Sequence, residues 1–369
     1  MKIAFIGTKG MNLPGTAFGG FETAVTELGP RLAASGHDVT IYCRRHLYKS
    51  VDLPREVRGV KLRYMSSVET KNFGTLTNSV LSMTDAIRRG TDVVVLFNLG
   101  LGLIAPFAKG AGLRIVTHLD GVEWERGKWS PIAKAIFKLG AWLSVRFSDR
   151  LIADCEAIEK VYRTTFRSSS VVIPYGAEIM EDLQGDAMRT YGLTRFGYYL
   201  VVTRFVPENN PLLIIDAYLK ADVSKPLVIL GGNYYPSRYG REILSVRDQR
   251  VRFLGHVADR RTLYELYHNS YCYIHGHSVG GTNPSLLEAL ANSCCVLALD
   301  TVFNAEVLKG WEYGLKFGRD KDDLARTISW LERSPDAVAR YREWAQRRVR
   351  ERYTWDGVAE EYRSLLESL

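Results

Sequence analysis

The chain has 369 residues, 46% of them hydrophobic and 24% charged, which excludes disorder, collagen and coiled coil as descriptions of the whole and predicts two domains. Its net charge of +8 is unevenly placed: residues 1–177 carry 24 Lys+Arg against 15 Asp+Glu, a net +9, and residues 178–369 carry 25 against 26, a net −1. The basic half suggests an anionic partner, with nucleic acid, an anionic membrane and a phosphorylated substrate all open beside an uneven solvated surface.

Residues 2–7 (KIAFIG) predict a buried strand, and the chain enters it at once, so no secretory signal is expected. A loop rich in glycine (Gly7, Gly10, Gly15, Gly19, Gly20) leads into helical spacing over 21–37 that stops at Gly36. Strands follow at 38–43 and 60–65, a helix at 75–90, and further strands at 92–98 and 114–120 with a helix start between them. The apolar stretch from Val93 to Phe107 is broken by Asn98, Gly100, Gly102 and Pro106 and is too short to span a bilayer. No integral membrane protein is expected. Residues 130–147 mix Lys134, Lys138 and Arg146 with Trp142 and Phe147, a pattern that suits either a core-packing helix or one resting on an anionic membrane.

A proline and a glycine punctuate VVIPYGAE at 171–178, where the first unit is expected to end. The period then restarts: strand 198–205, helix 210–221, strands 226–232 and 250–256, helix 262–270, strand 272–277, helix 284–293 and strand 294–300. The tail after Ser334 is helical and charged. Continuous apolar strands alternating with helices predict α/β architecture, two doubly wound parallel sheets in series, with ligands at the carboxyl ends of the strands and chemistry in a cleft between domains. Cys43, Cys155, Cys272, Cys294 and Cys295 form no CxxC pair and read as buried thiols in a reducing cytoplasm.

Four segments carry candidate chemistry. In IGTKGMNLPGTAFGGFET, Gly19 and Gly20 stand at a helix start, where free N–H groups and the helix dipole favour an anion. The loop is no Walker A, and the next strand ends in Cys43-Arg44-Arg45 rather than an acidic residue, which argues against NAD and leaves NADP only weakly supported. In THLDGVEWERGKW, His118 and Asp120 suit sugar hydroxyls or a proton, and Trp124 and Trp129 suit a sugar face, a membrane interface or simple packing. In VVTRFVPENNP, Arg204 at a strand end suits a phosphate or a surface ion pair, and Asn209 and Asn210 are expected to cap the next helix. In HGHSVGGTNPSLLEALANS, Gly280, Gly281, Thr282 and Asn283 precede a helix whose Glu288 lies about one turn in, within an apolar run. Amides there offer an anion nest, and an unpartnered buried Glu288 would be costly.

Together these segments resemble the GT-B glycosyltransferases of family four over essentially the full length. FGGFET resembles that family's GGxE loop, VVIPYGAE its interdomain segment, GGTNPSLLEAL its EX7E segment, and YTWDGVAEEY its closing helix. FGGFET, DGVEWERGKW, RFVPENN and GGTNPSLLEA in that order resemble more narrowly the capsule and cell-wall rhamnosyltransferase subgroup.

The resemblance implies a GT-B fold, with an acceptor-side domain over 1–176 closed by the helix at 353–369 and a donor domain over 177–352. It implies a retaining transferase that moves a sugar from a nucleotide-diphosphate donor, such as L-rhamnose from dTDP-rhamnose, to a saccharide or lipid-linked acceptor. Glu288 would hold the ribose, and Arg204 with the amides near Gly281, Thr282 and Asn283 the diphosphate. Gly19 and Gly20 would approach from the first domain, Asn209 would line the donor site, His118 would face the transferred sugar, and His118, Arg204 and Asp120 are assigned to catalysis. Glu22, Glu123 and Trp124 are assigned to the acceptor side. No metal or other cofactor is implied. The family's lysine five residues beyond the arginine is replaced by Asn209, with Lys9 a candidate substitute. The first glutamate of EX7E falls at Gly280, which suits a 6-deoxy sugar. The expected location is cytoplasmic, with peripheral contact to an anionic membrane and no nucleic-acid partner. A nucleotide-sugar epimerase and a non-catalytic nucleotide-sugar binder are the alternatives.

Overall fold

The structure is a computed structural model that describes residues 1–369 except 14–15, 17–18, 49–52, 68–73, 120, 126–129, 182, 184 and 234–236. It divides into a first unit, Met1–Tyr175 with Trp355–Leu369, and a second, Gly176–Thr354.

In the first unit the strands are β1 (Lys2–Ile6), β2 (Asp38–Arg44), β3 (Glu56–Val57), β4 (Val60–Met65), β5 (Val93–Phe97), β6 (Arg114–Leu119), β7 (Arg150–Ala153) and β8 (Val171–Val172). They lie in the order β3-β4-β2-β1-β5-β6-β7-β8, parallel except for the β3–β4 pair. The helices are α1 (Gly20–Ala34), α2 (Gly74–Arg88), α3 (Ala105–Gly110), α4 (Pro131–Phe147) and α5 (Glu156–Phe166). Ile6, Val94, Leu96, Leu101 and Ile115 pack in the core on one face of this sheet. Central β1 reads as an unbroken apolar run because helices cover both its faces. The turn after it needs glycine: Gly7 has φ +105°, and a Cβ there would lie 2.0 Å from the Phe97 carbonyl oxygen.

The second unit holds α6 (Ala187–Tyr191), β9 (Tyr199–Arg204), α7 (Pro211–Lys220), β10 (Leu227–Gly232), α8 (Arg238–Leu244), β11 (Val251–Gly255), α9 (Arg260–His268), β12 (Cys272–His275), α10 (Pro284–Ala291), β13 (Val296–Leu299), α11 (Val302–Val307), β14 (Leu315–Phe317), α12 (Lys321–Glu332) and α13 (Pro335–Arg352). The order β11-β10-β9-β12-β13-β14 is wholly parallel. Tyr199, Val201, Ile229, Ile274 and Leu297 line its core. The last helix, α14 (Trp355–Glu367), rejoins the first unit. It buries Trp355, Val358, Tyr362 and Leu366, and its Asp356 pairs with Arg31 of α1 at 2.7 Å.

In both sheets the order reverses at a neighbouring strand pair, β1/β5 in the first and β9/β12 in the second. The crevice outside the carboxyl ends of such a pair is where open α/β sheets take ligands. All five cysteines are buried thiols.

Candidate functional site

The carboxyl end of the first sheet is closed by Glu22. One carboxylate oxygen accepts from the Lys9 amide at 2.8 Å and the other from the Gly19 amide at 2.9 Å. The Gly19–Glu22 bond is the half of a capping box that a glycine N-cap can make, the Glu22 side chain accepting from the N-cap amide at the start of α1. Glu22, assigned from sequence to the acceptor side, is buried and commits both oxygens to holding the glycine loop in shape. Gly19 and Gly20 stand at the helix start as expected. The arginines that left NADP open are used locally: Arg44 donates to Thr75 Oγ1 at 2.9 Å, and Arg45 to the Tyr48 carbonyl at 2.7 Å.

His118 lies on β6 beside Phe97 of β5, at the same sheet end. It is 1% exposed, stacks on Phe97 at 5.1 Å and 17°, and meets Tyr175 at 5.4 Å. Burial pulls its pKa down to about 3, so the ring is neutral at physiological pH. Its Nδ1 is buried without a hydrogen-bond partner among the described residues. A neutral imidazole here can orient a hydroxyl through a hydrogen bond, but it does not begin as a charged acid. Asp120 and Trp129 lie outside the described residues. Glu123 is buried, and Trp124 turns into the unit, meeting Tyr162 and Phe166 edge-on at 5.6 Å each.

In the second unit Arg204 ends β9 and is exposed. Its guanidinium makes no hydrogen bond or ion pair among the described residues. The following turn departs from the sequence expectation. Asn209 does not cap α7; its amide folds back to the Arg204 carbonyl at 3.2 Å, because the residue lies buried in a 3-10 turn one step before the helix. Asn210 occupies the cap position in the left-handed region, φ +53°, and donates to the Gly276 carbonyl at 2.7 Å rather than to its own helix. Ser278 donates to the Glu208 carbonyl through its amide at 2.9 Å and its hydroxyl at 2.8 Å. The loops after β9 and β12 are thereby stitched together.

α10 begins on the same side. Asn283 caps it, its Oδ1 accepting from the Ser285 amide at 3.2 Å and hydroxyl at 2.8 Å. Gly280 has φ +116° and open space where a Cβ would be, and Thr282 is buried. Glu288 is half-buried beside Tyr264, Tyr267 and Tyr273, and its carboxyl has no hydrogen-bond partner among the described residues. Burial raises its pKa to about 7, against a smaller lowering by Arg260. An ionisable group left unbonded in a partly dry setting is a candidate position for a ligand. Among the described residues no three His, Cys, Asp or Glu side chains gather as a metal site.

Sequence reasoning drew together Arg204, Thr282, Asn283 and Glu288, which the structure places on one sheet end of the second unit. It passed over His275 and His277, whose only signal was their alternate spacing at the end of a buried strand.

The comparisons with known proteins agree with this geometry. Residues 19–176 match the glycosyl transferase 4-like domain, and residues 193–348 match the glycosyl transferases group 1 model. The chain belongs to the GT-B glycosyltransferases. No curated protein matches it in sequence. Among solved structures this glycosyltransferase is similar to sucrose-phosphate synthase from Thermosynechococcus elongatus, at TM-score 0.83 and 18% identity over 100% of this chain and 99% of that one. Anabaena HepE with UDP-glucose gives TM-score 0.79 and 15% identity over 100% of both chains. WaaG, a glycosyltransferase involved in lipopolysaccharide biosynthesis, gives 0.73 and 15% over 98% of both. These likenesses establish the fold, two Rossmann-like parallel-sheet units of GT-B type.

Proposed function

We propose that this glycosyltransferase holds a nucleotide-diphosphate sugar on its second unit and transfers the sugar with retention of configuration and without a metal. The observation that carries this reading is Glu288, an unbonded half-buried carboxyl one turn inside α10, at the sheet end that carries the unpaired Arg204. Glu288 accepts from the nucleoside sugar, through both hydroxyls of a ribose or the 3′-hydroxyl of a deoxyribose. Arg204 and the amide groups near Gly281, Thr282 and Asn283 take the diphosphate, and they stabilise the charge that grows on it as the glycosidic bond breaks. On the first unit, neutral His118, with Asp120 beside it in sequence, offers a hydrogen bond to a sugar hydroxyl, and the helix start at Gly19 and Gly20 offers amides to an anion.

For the donor we favour L-rhamnose on dTDP. Gly280 leaves no side chain where the family resemblance calls for a glutamate on sugar hydroxyls, and its surroundings are open. The HepE complex contains UDP-glucose and so makes glucosyl donors the competing choice. A thermal-shift and turnover screen of nucleotide sugars decides: dTDP-rhamnose is expected to stabilise the protein and to be consumed with a saccharide acceptor. Stabilisation by UDP-glucose alone would reassign the donor.

For the acceptor we favour a lipid-linked saccharide at an anionic membrane. α4 turns an apolar face outward, with Ile132 76%, Ile136 47%, Leu139 49% and Trp142 51% exposed, while Gly140, Ala141 and Ser144 face inward. Exposed Lys138 and Arg146 flank that face in a unit of net positive charge. Apolar insertion framed by cations suits an anionic lipid surface. No helix among the described residues is long and apolar enough to cross a membrane.

A further inference from the structure

The end of β12 and the loop after it hold two histidines, His275 and His277, without a role in the reading above. His275, wholly buried, places Nδ1 2.9 Å from the Tyr273 hydroxyl. That hydroxyl donates to Ser285 Oγ at 3.2 Å, which in turn donates to the capping Asn283 Oδ1 at 2.8 Å. Tyr273 has one proton and gives it to Ser285, so His275 Nδ1 carries its own proton and donates. His275 Nε2 is then a buried acceptor with no partner.

His277 stacks on His275 with centroids 4.3 Å apart and planes 21° from parallel. Its Nδ1 is likewise buried with no partner. The backbone around it is fixed from three sides: its carbonyl accepts from Asn304 Nδ2 at 3.2 Å, the Gly276 carbonyl from Asn210, and Ser278 donates to Glu208. Gly276 packs so closely that a Cβ would sit 2.5 Å from the Asn209 carbonyl oxygen. The ring is therefore held beside the turn that follows Arg204.

The charged and titratable groups acting on the ring are Arg204 from β9 and His275 from β12. Burial, and secondarily the charge of Arg204, keeps His277 neutral, with its pKa down at about 3. A diphosphate reverses this balance by placing negative charge between Arg204 and the ring. Asn209, with its amide committed to a backbone carbonyl, cannot take on charge in that place.

We propose that His277 is a ligand of the donor diphosphate, giving a hydrogen bond from its accessible ring edge to a phosphoryl oxygen and taking up a proton from solvent as the donor binds. His275, fixed by the Tyr273–Ser285–Asn283 chain, is the positioning residue that holds the His277 ring in place and ties it to the cap of α10. This inference rests on the nucleotide-diphosphate reading of the site.

The test is titration calorimetry of the full chain with UDP-glucose and dTDP-rhamnose, whose diphosphate diesters hold constant charge, in buffers of different ionisation heat. Glu288 also titrates near neutral pH, so the informative quantity is the difference between wild type and variants. Wild type is expected to take up more protons on binding than His277→Asn, by up to one. His277→Phe, which removes the donor as well, is expected to weaken binding roughly tenfold, with the melting temperature confirming a folded protein. Proton uptake and affinity unchanged in both variants would overturn the role of His277 and leave the diphosphate site standing. A wild type with no affinity for either probe would overturn the site itself and the inference with it.

Discussion

The carboxyl of Glu288 lies among three tyrosines, and its pKa of about 7 against an ordinary 4.5 is a statement about stability as well as binding. The folded chain holds the proton more tightly than the unfolded chain. Between pH 4.5 and 7 the stability contribution of this group therefore falls as pH rises, and above 7 the fold carries a desolvated charge. Glu288→Gln should match wild type in stability near pH 4.5 and exceed it at pH 8 by about 1 to 2 kcal/mol, discounted for partial exposure. Denaturant unfolding at the two pH values checks this; equal stabilities at pH 8 would contradict the burial argument. The residue scale also shows where sequence reading stops. Glu288 and Arg204 were legible because each stands at a recognisable place, a helix start and a strand end. The bond from Glu22 to the Lys9 amide was not, since it links positions thirteen apart through a loop without periodicity. The approach of His277 to Arg204 depends on the segments after β12 and at the end of β9 meeting in space, which no local pattern encodes.

At the scale of elements, long apolar runs such as Val93–Phe97 and Leu227–Gly232 announced themselves as buried strands. β7 and β14, four and three residues long, did not, because so few positions carry no period. The double reading of α4 follows from the same limit. Its inward face is made of small residues, so that a Cβ on Gly102 would lie 1.9 Å from the Gly140 carbonyl oxygen. Its large apolar residues are left outside. Pattern alone cannot tell which of two faces points inward when the inner one is packed by glycine, alanine and serine. Replacing Ile136 and Trp142 with Glu should abolish cosedimentation with vesicles containing anionic phospholipid, and raised salt should weaken the binding of wild type. Wild type that ignores such vesicles, or that instead self-associates through α4, would overturn the membrane assignment.

The two units share the order of six parallel strands, β4-β2-β1-β5-β6-β7 in the first and β11-β10-β9-β12-β13-β14 in the second, and that repetition was legible from the restart of the strand–helix period after the VVIPYGAE segment. α14 belongs to the first unit although it follows the second in sequence. It lays Trp355, Val358 and Tyr362 into the core and anchors Arg31. A chain ending at Thr354 should lose hydrogen-exchange protection in α1 and β1 by an order of magnitude or more, with β9–β14 unaffected. Protection of α1 that survives the truncation would show that α14 is dispensable to the first unit. The charge asymmetry of the two halves fits this division. The second unit is near neutral, whereas the first carries the surplus cations, as expected if the proposed donor site uses a few placed groups and the proposed acceptor surface is anionic.

The central claim, that the carboxyl end of the second sheet binds a nucleotide-diphosphate sugar, is tested most directly by calorimetric titration of UDP-glucose and dTDP-rhamnose into wild type, Arg204→Ala and Glu288→Ala. We expect one of the two sugars to bind wild type, and each substitution to weaken that binding at least about tenfold without lowering the melting temperature. Full donor affinity in both variants, or no affinity of wild type for any nucleotide-diphosphate sugar, would contradict it.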